Sequence, residues 1–174
     1  MEGSMKDVIT STGNPRIVKT RKLTQKKHRL RQNRFAAAGL QILGMAVEGI
    51  ASRQMAGRIC PLDVFFCEEL FTTDTAPGIL DQLVAAGANG FPVSRRVLET
   101  LSDRELSQGL VATFTIDSLL HSLNELHAPH DNEQPRLFVV LDRPKYPGNA
   151  GTLIRTADAA GADGIILIEP AVDA

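Results

Sequence analysis

Disulfide chemistry has almost nothing to work with in this sequence. The only cysteines, Cys60 and Cys67, flank the apolar run PLDVFF and have no Cys or His neighbours at metal-ligand spacing. That excludes a disulfide scaffold, leaves no metal site there, and predicts buried or half-buried free thiols. No apolar run approaches the roughly 20 residues that span a bilayer, and the opening MEGSMKDVIT lacks the apolar centre of a signal peptide. A cytoplasmic protein with no membrane contact is expected. Internal repeats and low-complexity tracts are also missing. What remains is a globular composition of 174 residues, 43% hydrophobic and 22% charged. Such a chain holds one domain of ordinary size, or a small domain plus part of another.

Acidic residues are scarce at the start. Residues 1–34 carry ten Lys or Arg against Glu2 and Asp7, a net +8, and the other 140 residues carry −9. The overall net charge of −1 hides this division. A basic segment on an acidic body is a candidate polyanion contact, because each cation brought to a phosphate releases condensed counterions. Arg16, Lys19, Arg21, Lys22, Lys26, Lys27, Arg29, Arg31 and Arg34 are the candidate RNA-binding residues. The alternative is a solvated helix face.

Local patterns alternate between strand and helix. Asn14-Pro15 reads as a cap and first residue of a basic helix over about 15–31. Leu40, Leu43, Val47 and Ile50 recur on one helical face. Strands are expected at 62–67, 90–93 and 110–116. Between them lie a helix with Ile79, Leu80, Leu83 and Val84 inward and a short helix begun by Ser94. Asp117 is placed to cap a helix that buries Leu119, Leu120, Leu123 and Leu126. The order predicts an α/β domain with helices over a mostly parallel or mixed sheet.

HAPHDNEQPR, residues 127–136, breaks the pattern and reads as a linker. His127, His130 and Asp131 could in principle meet at a metal, but no other ligand is near in sequence, so none is assigned. One βαβ unit follows: LFVVLD at 137–142, a loop, a helix over about 150–160, and IILIE at 165–169. In such units ligands bind beyond the carboxyl ends of strands, at helix N-termini. Gly148 and Gly151 allow close backbone approach, Asn149 is a plausible cap, and Leu153, Ala157 and Ala160 share the face expected on the sheet. Arg155 points away from that face, as a site residue or as the partner of Asp158. Glu169, about 20 residues past the glycines, invites a nucleotide-binding reading, although G-x-x-G is a weak match to the dinucleotide pattern.

LDRPKYPGNAGTLIRTADAAGADGIIL resembles the first motif of the SpoU/TrmH family of RNA 2′-O-ribose methyltransferases in the SPOUT superfamily, with Pro147, Gly148, Asn149, Gly151, Arg155, Ala157 and Gly161 in register. ITSTGNPRIVKTRKLTQKKHRLRQNRF resembles the family's basic opening, and VSRRVLETLSDRELSQGLVATF the end of its substrate-binding domain. The resemblance implies a ribosomal-protein-like RNA-binding α/β domain over 1–126, with its basic segment at 1–34. After the linker it implies the first βαβ unit, 137–174, of a C-terminally truncated α/β-knot methyltransferase domain. It further implies S-adenosylmethionine as cofactor, Asn149 and Arg155 as catalytic residues, RNA as partner (ribosomal RNA before transfer RNA) and a homodimer for the complete enzyme. The cofactor site is expected in later family segments that have no counterpart in this sequence. In FAAAG, Ala38 replaces an acid usual in the family. An RNA-binding protein without catalysis and a small nucleotide-binding domain are the rival readings.

Overall fold

The computed structural model describes residues 7–52, 57–102, 108–116, 136–169 and 171. The chain divides into two compact units, Met1–His121 and Ser122–Ala174. The expected helix after Asp117 and the linker through residue 135, with His127, His130 and Asp131, lie outside the described residues.

In the first unit the basic helix is not continuous. α1 (Pro15–Arg21) passes through a 3-10 turn (Lys22–Thr24) and an extended Gln25 into α2 (Lys26–Gln32). The reason is geometric. Ile17 and Leu23 lie six residues apart, about 240° around a straight helix, and cannot share one face. The 3-10 turn, in which residues three apart eclipse, brings Ile17, Thr20 and Leu23 inward together. Arg29 Nη1 donates to Leu23 O at 2.7 Å and Thr24 O at 2.9 Å, satisfying carbonyls that the break exposes. Burying Ile17 and Leu23 contributes about 1.5–3 kcal/mol each, more than the few tenths that each exposed like-charge pair costs.

RFAAA, which carries no strong strand signal, is β1 (Arg34–Ala38). Then come α3 (Leu40–Ala51), β2 (Pro61–Phe66), α4 (Thr75–Ala85), β3 (Asn89–Pro92), α5 (Arg95–Glu99) and β4 (Leu110–Thr115). The sheet is mixed, in order β1-β4-β2-β3: β4 runs antiparallel to β1 and β2, and β3 parallel to β2. Alternation splits the core between its faces. Val64, Leu110, Ala112 and Phe114 pack with α3 and α4, whereas Phe65, Phe91 and Val111 pack with α1 and α5. α4 turns Ile79 and Leu83 inward, but Val84 is 45% exposed, against the sequence expectation. The thiols agree with it: Cys67 is buried, Cys60 half-buried, and both are free. At the end of β1, Gly39 offers α3 no capping side chain, and Gln108 Oε1 accepts from Leu40 N at 3.0 Å instead.

The second unit is a βαβ. β5 (Phe138–Asp142) pairs parallel with β6 (Gly164–Ile168), and α6 (Pro147–Ala159) connects them. α6 starts three residues earlier than the sequence suggested, because Pro147 takes the first helical position, where a missing N–H costs nothing. Asn149 therefore lies inside the first turn and is not the cap. The inward stripe also differs: Ala150 and Ala157 are buried, while Leu153 is 46% exposed and Ala160 is exposed. Ala150, half-buried Ile154 and Ala157 follow the spacing of four and three that sets one helical face.

Candidate nucleic-acid interface and catalytic loop

β5 delivers the chain to a loop that opens toward solvent. Asp142 ends the strand, and Arg143, at φ 48°, turns back on it. Its Nε donates to Asp142 Oδ1 at 2.8 Å and its Nη2 to Oδ2 at 3.2 Å, which raises the Arg143 pKa further. The Arg143 amide donates to Ile168 O at 3.1 Å, tying the loop to the end of β6. This pair sets the loop's exit from the sheet.

At Pro147 the helix begins with no side-chain cap on Tyr146. Ala150 N is the first amide to close a helical bond, to Tyr146 O at 3.0 Å. The amides of Gly148 and Asn149 are left for an incoming oxygen, and Gly148 has no heavy atom within 4 Å of where a Cβ would sit. Arg155 runs back along its own helix toward that end, as long helical side chains do. Its Nη2 donates to Thr152 Oγ1 at 3.4 Å, and Thr152 Oγ1 donates to Gly148 O at 2.9 Å. A Cβ on Gly151 would stand 3.5 Å from Arg155 Nη1, an ordinary contact, so the guanidinium lies against the first turn of its own helix. Arg155 therefore points to Thr152 and does not pair with Asp158. Asn149, six residues earlier, is exposed on another face of α6 and touches no part of Arg155's chain of bonds. Thr152 escaped the sequence reading, although its place three residues before Arg155 is the signal that could have found it.

The basic segment presents its cations unequally. Lys19, Arg21, Lys22, Lys26, Lys27 and Arg31 are exposed. Arg16 lies with its guanidinium carbon 4.6 Å from the centre of the Phe91 ring, a cation–π contact that fixes α1 on the sheet. Arg29 holds the 3-10 turn as described. Arg34 Nη1 pairs with Asp63 Oδ2 at 2.9 Å, the two side chains 21% and 14% exposed, and joins β1 to β2 across β4. Arg34 thus serves the sheet. Among these charges, partial burial and the neighbouring Lys27, Lys22 and Arg31 lower the pKa of His28. No group of three or more His, Cys, Asp or Glu placed to hold a metal occurs among the described residues, and no described helix is long and apolar enough to cross a membrane.

Carboxylates collect elsewhere on the same unit. A groove of about 900 Å³ includes Asp7, Glu68, Glu69 and Asp81 around Phe66, Leu80 and Val84. Its negative rim separates it from the cationic face.

Comparison with known proteins bears on both units. The pattern of the family described as MRM3-like substrate binding domain matches residues 14–112, and that of the SpoU rRNA Methylase family matches residues 136–173. An uncharacterized tRNA/rRNA methyltransferase of Synechocystis sp. is 34% identical over 168 residues, 95% of this chain and 54% of its own length. The 23S rRNA (guanosine-2′-O-)-methyltransferase RlmB of Haemophilus influenzae is 36% identical over 89 residues, 51% of this chain and 36% of its own. A solved rRNA methyltransferase from Sinorhizobium meliloti superposes with a TM-score of 0.75 at 32% identity, over 96% of this chain and 56% of that one. The same protein has been solved with AdoMet bound. The chain thus spans about half the length, or less, of the relatives it matches.

Proposed function

The chain belongs to the SpoU family of RNA methylases, and from that premise we propose that it serves transfer of a methyl group from S-adenosylmethionine to a ribose 2′-hydroxyl of RNA. The first unit holds the RNA through its exposed cations. The second contributes the loop at the start of α6. Ribosomal RNA is the favoured substrate, ahead of transfer RNA, and the complete enzyme acts as a homodimer in the cytoplasm. One observation carries this reading: two family patterns cover consecutive parts of one chain, one holding the exposed cationic segment, the other the Gly148–Gly151–Arg155 arrangement.

In the reaction the ribose oxygen forms a bond to the methyl carbon, the sulfur–methyl bond breaks, and the hydroxyl proton is lost. S-adenosylmethionine supplies the electrophilic methyl. The amides of Gly148 and Asn149 fit an oxygen-rich group, whether a ribose or a carboxylate. A neutral hydroxyl is a weak nucleophile, so the site has to favour its deprotonated form and orient it. Arg155 stays charged at any working pH and is no base. It acts by electrostatic stabilisation of the developing oxyanion, together with an RNA phosphate, while Asn149 positions the approaching sugar.

The test uses a protein that carries the whole SpoU catalytic domain. Arg155→Ala should abolish methyl transfer in a radiolabelled-methyl assay and leave RNA affinity and thermal stability nearly unchanged, since the side chain is exposed and makes one long hydrogen bond. Full turnover in that variant would remove Arg155 from the chemistry. Loss of folding would make it structural.

A further inference from the structure

β1 is the outer strand of its sheet, and its free edge has a use that the cationic face alone does not explain. Gly39 N donates to Leu110 O at 3.4 Å and Ile116 N to Asn33 O at 3.2 Å, which marks the odd-numbered residues of this stretch as those bonded to β4. Alternation then turns the N–H and C=O of Ala36 and Ala38 outward. A groove of about 500 Å³ opens along this edge. Leu23, Ile42 and Leu101 contribute apolar walls, and Arg21, Thr24 and Arg29 the rim. Ala36 is exposed, and its small side chain leaves the backbone edge open to a ligand.

Apolar walls, a cationic rim and a backbone donor beside a backbone acceptor suit a flat ring with polar atoms on its edge, attached to a phosphate. We propose that this groove holds an unpaired nucleobase of the RNA, its edge bonded to the outward N–H and C=O of Ala36 and its flanking phosphates on Arg21 and Lys22. The proposal rests on the RNA-binding reading above and adds a base-recognition site to it. Ring burial between apolar walls is the sequence-tolerant part of single-strand recognition, and the backbone pair adds discrimination between base edges. A peptide strand added to β1 would use the same backbone groups. The positive rim favours RNA. Ala38 belongs to the same floor. A carboxylate there would repel the phosphates that the rim attracts.

The test compares, on the full chain, a short labelled single-stranded RNA with the same ribose–phosphate backbone lacking its bases, by fluorescence anisotropy. The base-bearing RNA should bind about tenfold more tightly. Ala38→Phe, which fills the groove without changing charge, should bring the two RNAs to equal affinity. So should Ala36→Pro, which deletes an N–H that no ladder bond uses. Both variants should keep the wild-type salt dependence, and a thermal melt shows which of them is folded. Equal affinity of the wild type for both RNAs, or a preference that survives in a folded variant, would overturn the nucleobase site while leaving RNA binding standing. Failure of either RNA to bind would overturn the RNA-binding reading itself. If an extended peptide, and not the RNA, protects the Ala36 and Ala38 amides from hydrogen exchange, the edge is a peptide site and the proposal fails.

Discussion

Single residues in this chain often differ from what their type suggests. Arg29 and Arg34 look like RNA ligands by composition, yet one holds two carbonyls of a turn and the other an aspartate between strands. His28 looks unremarkable, yet it is the side chain of this cationic segment whose charge can change under mild conditions. Partial burial and its basic neighbours lower its folded pKa, so the unfolded chain takes up the proton more readily, and the free protein loses stability as pH falls through the ordinary histidine range. RNA phosphates reverse the shift, so binding takes up a proton. Affinity should therefore rise as pH falls from about 7.5 to about 5.5, and His28→Gln should flatten that dependence in a titration at constant ionic strength. Gly109 is a second case. It sits at φ 86°, and a Cβ there would collide with the Phe71 ring and stand 3.1 Å from Cys67 O. Gly109→Ala should cost about 2 kcal/mol or more, read as a lower urea midpoint at unchanged slope.

At the scale of elements, the broken helix from Pro15 to Gln32 decides which of its charges face solvent. The break buries Leu23, commits Arg29 to the turn, and leaves Lys19, Arg21, Lys22, Lys26, Lys27 and Arg31 exposed, beside Arg16 on the Phe91 ring. If about five cations touch single-stranded phosphates, log K should fall with log salt at a slope of roughly −3.5. Replacing Lys22, Lys26, Lys27 and Arg31 with Gln should remove most of that slope without unfolding the chain. Arg29→Gln should instead lower stability and change the slope little, because its charge is spent on backbone carbonyls. A slope indifferent to the four-residue change would take RNA binding away from this segment. α6 shows the same logic in reverse. Its first turn carries only small side chains at 148 and 151, and Arg155 turns back along it to reach Thr152.

For the molecule as a whole, the two units differ in how completely they cover their sheets. In the first, Val64, Phe65, Leu110 and Val111 are 0% exposed under helices on both faces. In the second, one helix lies on two strands, and Leu137 is 49%, Val140 54%, Leu153 46% and Ile168 44% exposed. A two-stranded sheet with an open apolar face is marginal by itself. Hydrogen exchange should therefore release the amides of β5 and β6 well before those of β2 and β4. In a protein carrying the complete catalytic domain the difference should narrow. Equal protection of both sheets in the 174-residue chain would show that the second unit is covered by something these exposures do not reveal. Charge is distributed at the same scale, with cations on the face of α1 and α2 and the carboxylates Asp7, Glu68, Glu69 and Asp81 around the groove between β3 and α4. In the proposed function this division would steer RNA to the first and away from the second.

Much of this was legible along the chain, because it depends on neighbours in sequence. The alternation of strands and helices, the caps at Asn14 and Ser94, the cationic segment and the turn before α6 are all local patterns, and the structure has each of them. The motif at 147–161 lies within the stretch that matches the SpoU rRNA Methylase family, residues 136–173. What depended on residues far apart was not legible. RFAAA lacks strand propensity and becomes β1 because it pairs with β4 some 75 residues later. Arg34 leaves the cationic face because Asp63 lies beside it in the folded sheet. Asn149 moves from cap to helix interior because Pro147 starts α6 earlier, and Leu153 is turned outward because the inward face runs through Ala150, Ile154 and Ala157. Local propensity determined the elements and the charge they carry. Pairing between distant strands decided which charges stay exposed and which edge stays open, because a hydrogen-bond ladder and a half-buried ion pair draw on groups that no short window of sequence contains.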